Sequence, residues 1–234
     1  MGSGSHLKRL AMPRSWALPR KITTWISRPR SGAHSLEYCM SISTVIRDVL
    51  GYADNAREVR RILHEGKAKI DGRRVRDARR GVGLMDVLTL GDTNYRCILD
   101  QNGKLRYHQI PPDQSEWKVC RIEGKSTIKG GQTQLNLHDG RNILVDDPVE
   151  FKTGDSVKIQ LPDQQILTHI QFEEGAKSYL IGGSHVGTTA EVKEILVKRS
   201  SMPNEVLFED FGTIAKHVFI VDDSTPMPST EVSQ

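Results

Sequence analysis

Three Asx-Gly pairs constrain this chain more than any other feature: Asp71-Gly72, Asn102-Gly103 and Asp139-Gly140 each stand between short strand-like runs. Asp, Asn and Gly tolerate positive φ, so strand-like runs are expected to pair around each of the three, and at Asp71-Gly72 the turn is expected to be a tight one of primed type. The paired runs are 67–70 with 73–76, 96–100 with 104–110, and 134–138 with 141–145, and a further pair, 156–161 with 165–172, flanks Pro162-Asp163. After Glu65 no convincing helical period remains. Short strands at this spacing argue for small barrels or sandwiches rather than one large sheet. A chain of 234 residues with 37% apolar content accommodates two or three such units.

Ahead of the hairpins the period changes. Val45, Ile46, Val49 and Leu50 recur at helical spacing, with Gly51 placed to end the helix. A second helix opens at Asn55, which caps it, and Glu58 three residues on completes a capping box. Its apolar face is Ala56, Val59, Ile62 and Leu63; Arg57, Arg60 and Arg61 lie on the other. The expected class is therefore α+β and multidomain, helical in front and β behind.

Charge is distributed unevenly over this plan. Residues 1–80 carry 18 Lys+Arg against 7 Asp+Glu, whereas the remaining residues carry 15 against 22. The opening segment holds seven cations (Lys8, Arg9, Arg14, Arg20, Lys21, Arg28 and Arg30) and no acid before residue 31, with Trp16 and Trp25 among them. It lacks the apolar content to fold alone and is expected to order on contact with a polyanion, with either tryptophan stacking on a base or anchoring against the protein. An Arg-rich, acid-poor start also suits a transit peptide, but Pro13, Pro19 and Pro29 interrupt the amphipathic helix such peptides form. Met1-Gly-Ser-Gly-Ser5 fits both a cloning remnant and a native start.

The second basic cluster is Arg57, Arg60, Arg61, Lys67, Lys69, Arg73, Arg74, Arg76, Arg79 and Arg80, ten cations against four acids over residues 57–80. A merely solvated face mixes both signs, because neighbouring like charges repel by a few tenths of a kcal/mol per pair, roughly. Eight of the ten are arginine, which suits bidentate phosphate contacts better than diffuse attraction to lipid.

Other classes are argued against by what the sequence holds. Cys39, Cys97 and Cys120 are far apart with no CxxC pair and read as reduced packing residues, so neither a zinc knuckle nor a disulfide framework is expected, and no metal or cofactor. Asp146-Asp147 and Glu173-Glu174 are adjacent, and neighbours on a strand face opposite ways, so neither makes a carboxylate dyad. Gly182-Gly183 lacks the Lys-Ser/Thr of a P-loop. No apolar run reaches membrane-spanning length. The expectation is a non-enzyme without a catalytic site, a small-molecule substrate or a membrane association, located in the cytosol.

At this point several segments resemble a known family. The helix Ala53-Asp-Asn-Ala-Arg-Glu-Val-Arg-Arg-Ile-Leu63, the hairpin Lys67-Ala-Lys-Ile-Asp-Gly-Arg-Arg-Val75 and Gly83-Leu-Met-Asp-Val-Leu-Thr-Leu90 resemble the RNA-binding module named after ribosomal protein "S four", which pseudouridine synthases and an aminoacyl-tRNA synthetase share. Upstream, His6-Leu-Lys-Arg-Leu10, Trp16 and Arg28-Pro-Arg-Ser-Gly-Ala-His34, and downstream Lys129-Gly-Gly131, Gln134-Leu-Asn-Leu-His-Asp-Gly-Arg-Asn142, Gly154-Asp-Ser-Val-Lys-Ile159 and Ile181-Gly-Gly-Ser-His-Val-Gly187, resemble the e-type small-subunit ribosomal protein "S four" family of archaea and eukaryotes. The resemblance implies a basic extension (1–40), a helix-and-hairpin RNA-binding module (41–110), a barrel-like central β domain (111–174) and an SH3-like, KOW-type barrel (175–222), followed by a disordered tail (223–234). It implies a structural constituent of the small ribosomal subunit, with small-subunit rRNA and neighbouring ribosomal proteins as partners. The alternative is a free RNA-modification or quality-control factor, although no segment resembles a pseudouridine synthase catalytic domain.

The expected RNA contacts are the two cationic clusters together with Gly183, His185 and Gly187 of the KOW-like loop. Those glycines let the backbone approach a phosphate or base, or serve only to turn a hairpin. Thr189 and Ala190 stand where the family often has a further glycine.

Overall fold

The computed structural model describes residues 5–147 and 149–225. The origin of residues 1–4 and most of the expected tail disorder, residues 226–234, lie outside the described residues. Two compact units are present: residues up to Ile98 with Lys104–Glu116, and Leu99–Gly103 with the chain from Trp117 onward. Both are mostly β with few helices.

In the first unit, β1 (Leu7–Lys8) pairs antiparallel with β2 (Trp25–Ile26), which folds the amino-terminal arm into a loop. Met12, Trp16 and Ile26 are buried. Prolines leave carbonyls without ladder partners, and arginines satisfy them: Arg9 Nε donates to Pro19 O at 2.6 Å, and Arg20 donates to the carbonyls of Leu10, Met12 and Pro13 at 2.9, 2.7 and 3.1 Å. The arm is therefore ordered within the protein, a correction to the expectation that ordering awaits a polyanion. A bridge from Trp16 to Leu105 and a bond from Leu105 N to Ser15 O at 2.7 Å tie it to the rest of the unit.

The strand β3 (Cys39–Ser41) leads into one turn of α1 (Ile42–Thr44), capped by Ser41, and then a π-helical turn over Val45–Val49, where an uninterrupted α-helix was expected. Gly51 follows at φ 69°. In α2 (Ala56–His64) Asn55 Oδ1 accepts from the amides of Arg57 and Glu58, both at 3.0 Å. Glu58 reaches back at 2.8 Å to the amide of Asp54, one residue before the cap. Val59 and Leu63 are buried and Ile62 partly so, while Ala56 is exposed.

The hairpin of β4 (Ala68–Ile70) and β5 (Arg73–Arg74) turns on Asp71 and Gly72 at φ 50° and 76°, the signature of the predicted primed turn. After β6 (Gly81–Gly83), which pairs with β3, come β7 (Val87–Leu90), β8 (Thr93–Leu99) and β9 (Leu105–Ile110), giving a sheet of order β5-β4-β7-β8-β9. At Asn102-Gly103 only the glycine has positive φ, and its amide bonds Asp100 O, so this connection is a wider loop than a two-residue turn. A short helix, α3 (Pro112–Ser115), completes the unit.

The second unit is built on β10 (Trp117–Thr127), β11 (Thr133–Leu137), β12 (Asn142–Val145), β13 (Ser156–Gln160) and β14 (Ile166–Ile170), in the order β12-β11-β10-β13-β14. Hairpins are present at Asp139-Gly140 and Pro162-Asp163. At the first only Gly140 has positive φ, and the bonds from Gly140 N to Leu137 O and from Leu137 N to Arg141 O close a loop wider than a two-residue turn. A register shift between Ile122 and Gly124 bends β10 so that one half pairs with β11 and the other with β13. Such a bulge is how a sheet curls part-way toward a barrel. Its inner face is Cys120, Ile122, Leu135, Leu137, Phe151, Val157 and Ile159.

The remaining strands are β15 (Lys177–Leu180), β16 (Thr189–Glu191), β17 (Glu194–Leu196), β18 (Glu205–Leu207), β19 (Gly212–Ile214) and β20 (Val218–Ile220). They form two three-stranded sheets, β16-β15-β20 and β17-β18-β19. Leu180, Val192, Val206, Phe208, Val218 and Ile220 pack between them. At the chain's end Asp223 pairs with Lys177 at 2.7 Å and Thr225 is buried, so residues 223–225 are part of this unit.

Candidate nucleic-acid interface

The periodicities that bury one side of α2 and of the hairpin expose the other. On α2, Arg57, Arg60 and Arg61 are exposed opposite Val59 and Leu63. On β4, Ala68 and Ile70 are buried while Lys69 between them is exposed and stands across from Arg74. Arg73 and Arg76 are also exposed. Among the described residues, Arg57, Arg60, Lys69, Arg73, Arg76 and Arg80 reach no carboxylate at salt-bridge distance. Lys67 pairs with Glu65 at 2.7 Å and Arg30 with Asp77 at 3.1 Å, both in the open.

Arg74 links helix and hairpin. A Cβ on Gly66 would lie 1.6 Å from its Nη2, so the guanidinium fills the space that glycine leaves where α2 ends. A cation suits that position, since the last carbonyls of a helix carry partial negative charge.

The other predicted cations divide between surface and scaffold. Lys8, Arg14 and Lys21 are exposed. Arg9 is buried and bonded to the arm, which removes it from the candidate surface. Arg79 is a clamp: its Nε donates to Arg28 O at 3.1 Å, its Nη2 to Ser5 O at 3.3 Å, and its own carbonyl accepts from Arg30 N at 2.8 Å. Arg28, Arg30 and Arg79 line a cavity of about 620 Å³ beside the arm, and Arg30 and Arg80 line an adjoining one of about 250 Å³. Trp16 is buried as an anchor against the protein, whereas Trp25 is 55% exposed.

The arm enters the module through His34. Its ring lies on Gly83, where a Cβ would come within 2.3 Å of Cδ2, and its Nε2 meets Asp86 Oδ2 at 3.0 Å with both side chains nearly dry. Gly83 N donates to the same carboxylate oxygen at 2.9 Å. Nothing local in the sequence reveals this contact, which spans 52 positions.

In the second unit the loop between β15 and β16 holds Gly183 at φ 85° and Gly187 at φ 79°. Gly183 is exposed. Gly187 is buried, and a Cβ there would sit 2.2 Å from Asp100 O, so its close backbone approach is to the protein itself. His185 stacks on Phe211 with ring centroids 4.0 Å apart.

Cys120, His138 and Asp139 bring potential metal donors together. Asp139, however, is already neutralised by Lys118 at 2.5 Å and Arg141 at 3.0 Å, and His138 Nδ1 accepts from Arg121 N at 3.2 Å. Those partners suit a buried polar network, not a cation.

A cationic face carried on a short helix and hairpin has the chemistry to meet a polyanion. Comparison with known proteins narrows the class. The model of "Ribosomal family S4e" matches residues 91–166, and that of the "RS4NT (NUC023) domain" matches residues 1–37. The small ribosomal subunit protein eS4 of Methanocaldococcus jannaschii is 43% identical over 240 residues, covering 97% of each chain; that of Methanothermobacter thermautotrophicus is 41% identical over 228 residues, covering 94% of this chain and 93% of its own. The crystal structure of 30S ribosomal protein S4e from Thermoplasma acidophilum superposes with a TM-score of 0.71 at 34% identity, over 80% of this chain and 96% of that one. The chain belongs to ribosomal family S4e, a family of structural rather than enzymatic proteins of the small ribosomal subunit.

Proposed function

We propose that the protein binds small-subunit rRNA through the cationic face of α2 and the β4–β5 hairpin and stabilises the folded RNA, in the cytoplasm and within the ribosome. The observation that carries this reading is the row Arg57, Arg60, Lys69, Arg73 and Arg76, exposed together without carboxylate partners. Holding uncompensated like charges on one surface opposes folding, and phosphates relieve that repulsion. Arginines also match phosphate oxygens two at a time. The arm extends the contact through Lys8, Arg14, Lys21, Arg28 and Arg30, with Trp25 available to stack. The chain reads as a basic extension, an RNA-binding module, a central β domain and a KOW-type, SH3-like barrel, the last meeting neighbouring proteins as well as RNA.

Sucrose-gradient sedimentation of native lysate at low and moderate salt tests the assignment. Residence in the small-subunit peak at both salts is expected; migration near the top of the gradient under both conditions overturns it.

A further inference from the structure

The second unit contains a groove of about 610 Å³ with a character opposite to that of the cationic face. One wall is β16, an edge strand of its sheet. Val192 donates to Ala176 O and Leu180 donates to Thr188 O. By antiparallel alternation the N–H and C=O groups of Thr189 and Glu191 therefore point away from β15, into the groove. The opposite wall is the turn 208–211, closed by a bond from Phe208 N to Phe211 O at 2.8 Å. That turn carries exposed Glu209 and Asp210 at its tip, and the stack of His185 on Phe211 braces its end. Lys193 is the one cation of the lining, against the carboxylates of Glu191, Glu209 and Asp210. The chain from Trp117 onward is itself net acidic, with 12 Lys+Arg against 17 Asp+Glu.

From this geometry we propose that the groove docks an extended, basic polypeptide segment of a neighbouring protein, which adds as a strand to β16. An open strand edge offers alternating donors and acceptors that only another backbone matches. The carboxylates select Lys or Arg on the incoming strand's groove-facing side and repel phosphate, so RNA is the wrong occupant. The half-buried Phe211, seated on the buried Phe208, gives the alternate side chains an apolar surface. The inference rests on the reading of the protein as a small-subunit component, and supplies the chemistry of one of its protein partners.

The test uses the full chain, a fluorescein-labelled peptide of alternating Lys and Val, a matched Glu-Val peptide, and an rRNA fragment assayed in parallel. Binding of the Lys-Val peptide alone, with amide shifts at Thr189 and Glu191 and a loss of affinity of about tenfold or more in the E209K/D210K double variant, is expected. The rRNA affinity of that variant is not weakened, since the change adds positive charge. Glu191→Gln, a neutral change on an exposed strand position, gives a smaller loss in the same direction and serves if the double variant misfolds. Equal binding of both peptides, no binding, or shifts confined to the cationic face overturn the proposal. So does weakened peptide and rRNA binding together in a folded variant. Failure of rRNA binding with peptide binding intact counts against the RNA reading alone.

Discussion

The imidazole of His34 and the carboxylate of Asp86 meet at 3.0 Å in a site nearly closed to water, and this pair joins the amino-terminal arm to the module. Gly83 makes the contact possible by having no Cβ. Gly83→Ala forces the ring out of its seat and leaves Asp86 short of a buried partner. The expected result is a loss of about 1–3 kcal/mol in urea unfolding, and protease cleavage of the arm before the module. Unchanged stability would mean that the arm is held elsewhere.

The turn at Asp71-Gly72 predicts a second effect. Both residues occupy the left-handed region, where a β-branched side chain is strained. Gly72→Val lowers unfolding stability by about 1–2 kcal/mol. Because Lys69 and Arg74 stand across from each other in the register this turn sets, the variant also weakens RNA binding, read by filter binding at fixed salt.

At the start of α2, Glu58 accepts the Asp54 amide, and this bond, with lesser help from the Asn55 side chain and amide, holds its carboxyl below the ordinary value. A depressed folded pKa gives stability that is present above the unfolded value and is lost as pH falls through the folded one. Melting temperature should therefore fall on acidification below the normal glutamate range, and Glu58→Gln should flatten that limb. Asn55→Ala costs about 1 kcal/mol at neutral pH through the lost cap.

Burial, with a smaller contribution from Asp86, pushes the Cys39 thiol up to about 12. Burial raises Cys97 as well. Neither offers thiolate at neutral pH. Modification by a disulfide reagent at pH 8 should follow the rate of unfolding; rapid reaction of the native protein at Cys39 would contradict the packing of β3.

How much of this was legible in the sequence depends on how local each cause is. The Asp71-Gly72 turn and the Asn55 cap depend on a few adjacent residues and were readable, as were the exposed arginines of α2, whose period also names the buried Val59 and Leu63. The π turn at Val45–Val49 was not, because no residue in it forbids an ordinary helix. Arg9, Arg79, His185 and Gly187 resemble RNA contacts in residue type; their partners within the protein (Pro19 O, Arg28 O, Phe211 and Asp100 O) lie at distances in sequence that no local pattern encodes. The pairing of His34 with Asp86 escaped for the same reason, and short strands such as β17–β19 carry too few residues to show a period.

The most direct test of the central claim is the salt dependence of rRNA binding by the wild-type protein and by Arg57→Ala, Arg60→Ala and Arg73→Ala. If these arginines hold phosphates, log K falls linearly with log salt, and each substitution makes the slope shallower by about 0.7–0.9 while leaving the unfolding transition in place. Slopes identical to wild type in all three folded variants would contradict the account and move the interface away from α2 and the β4–β5 hairpin.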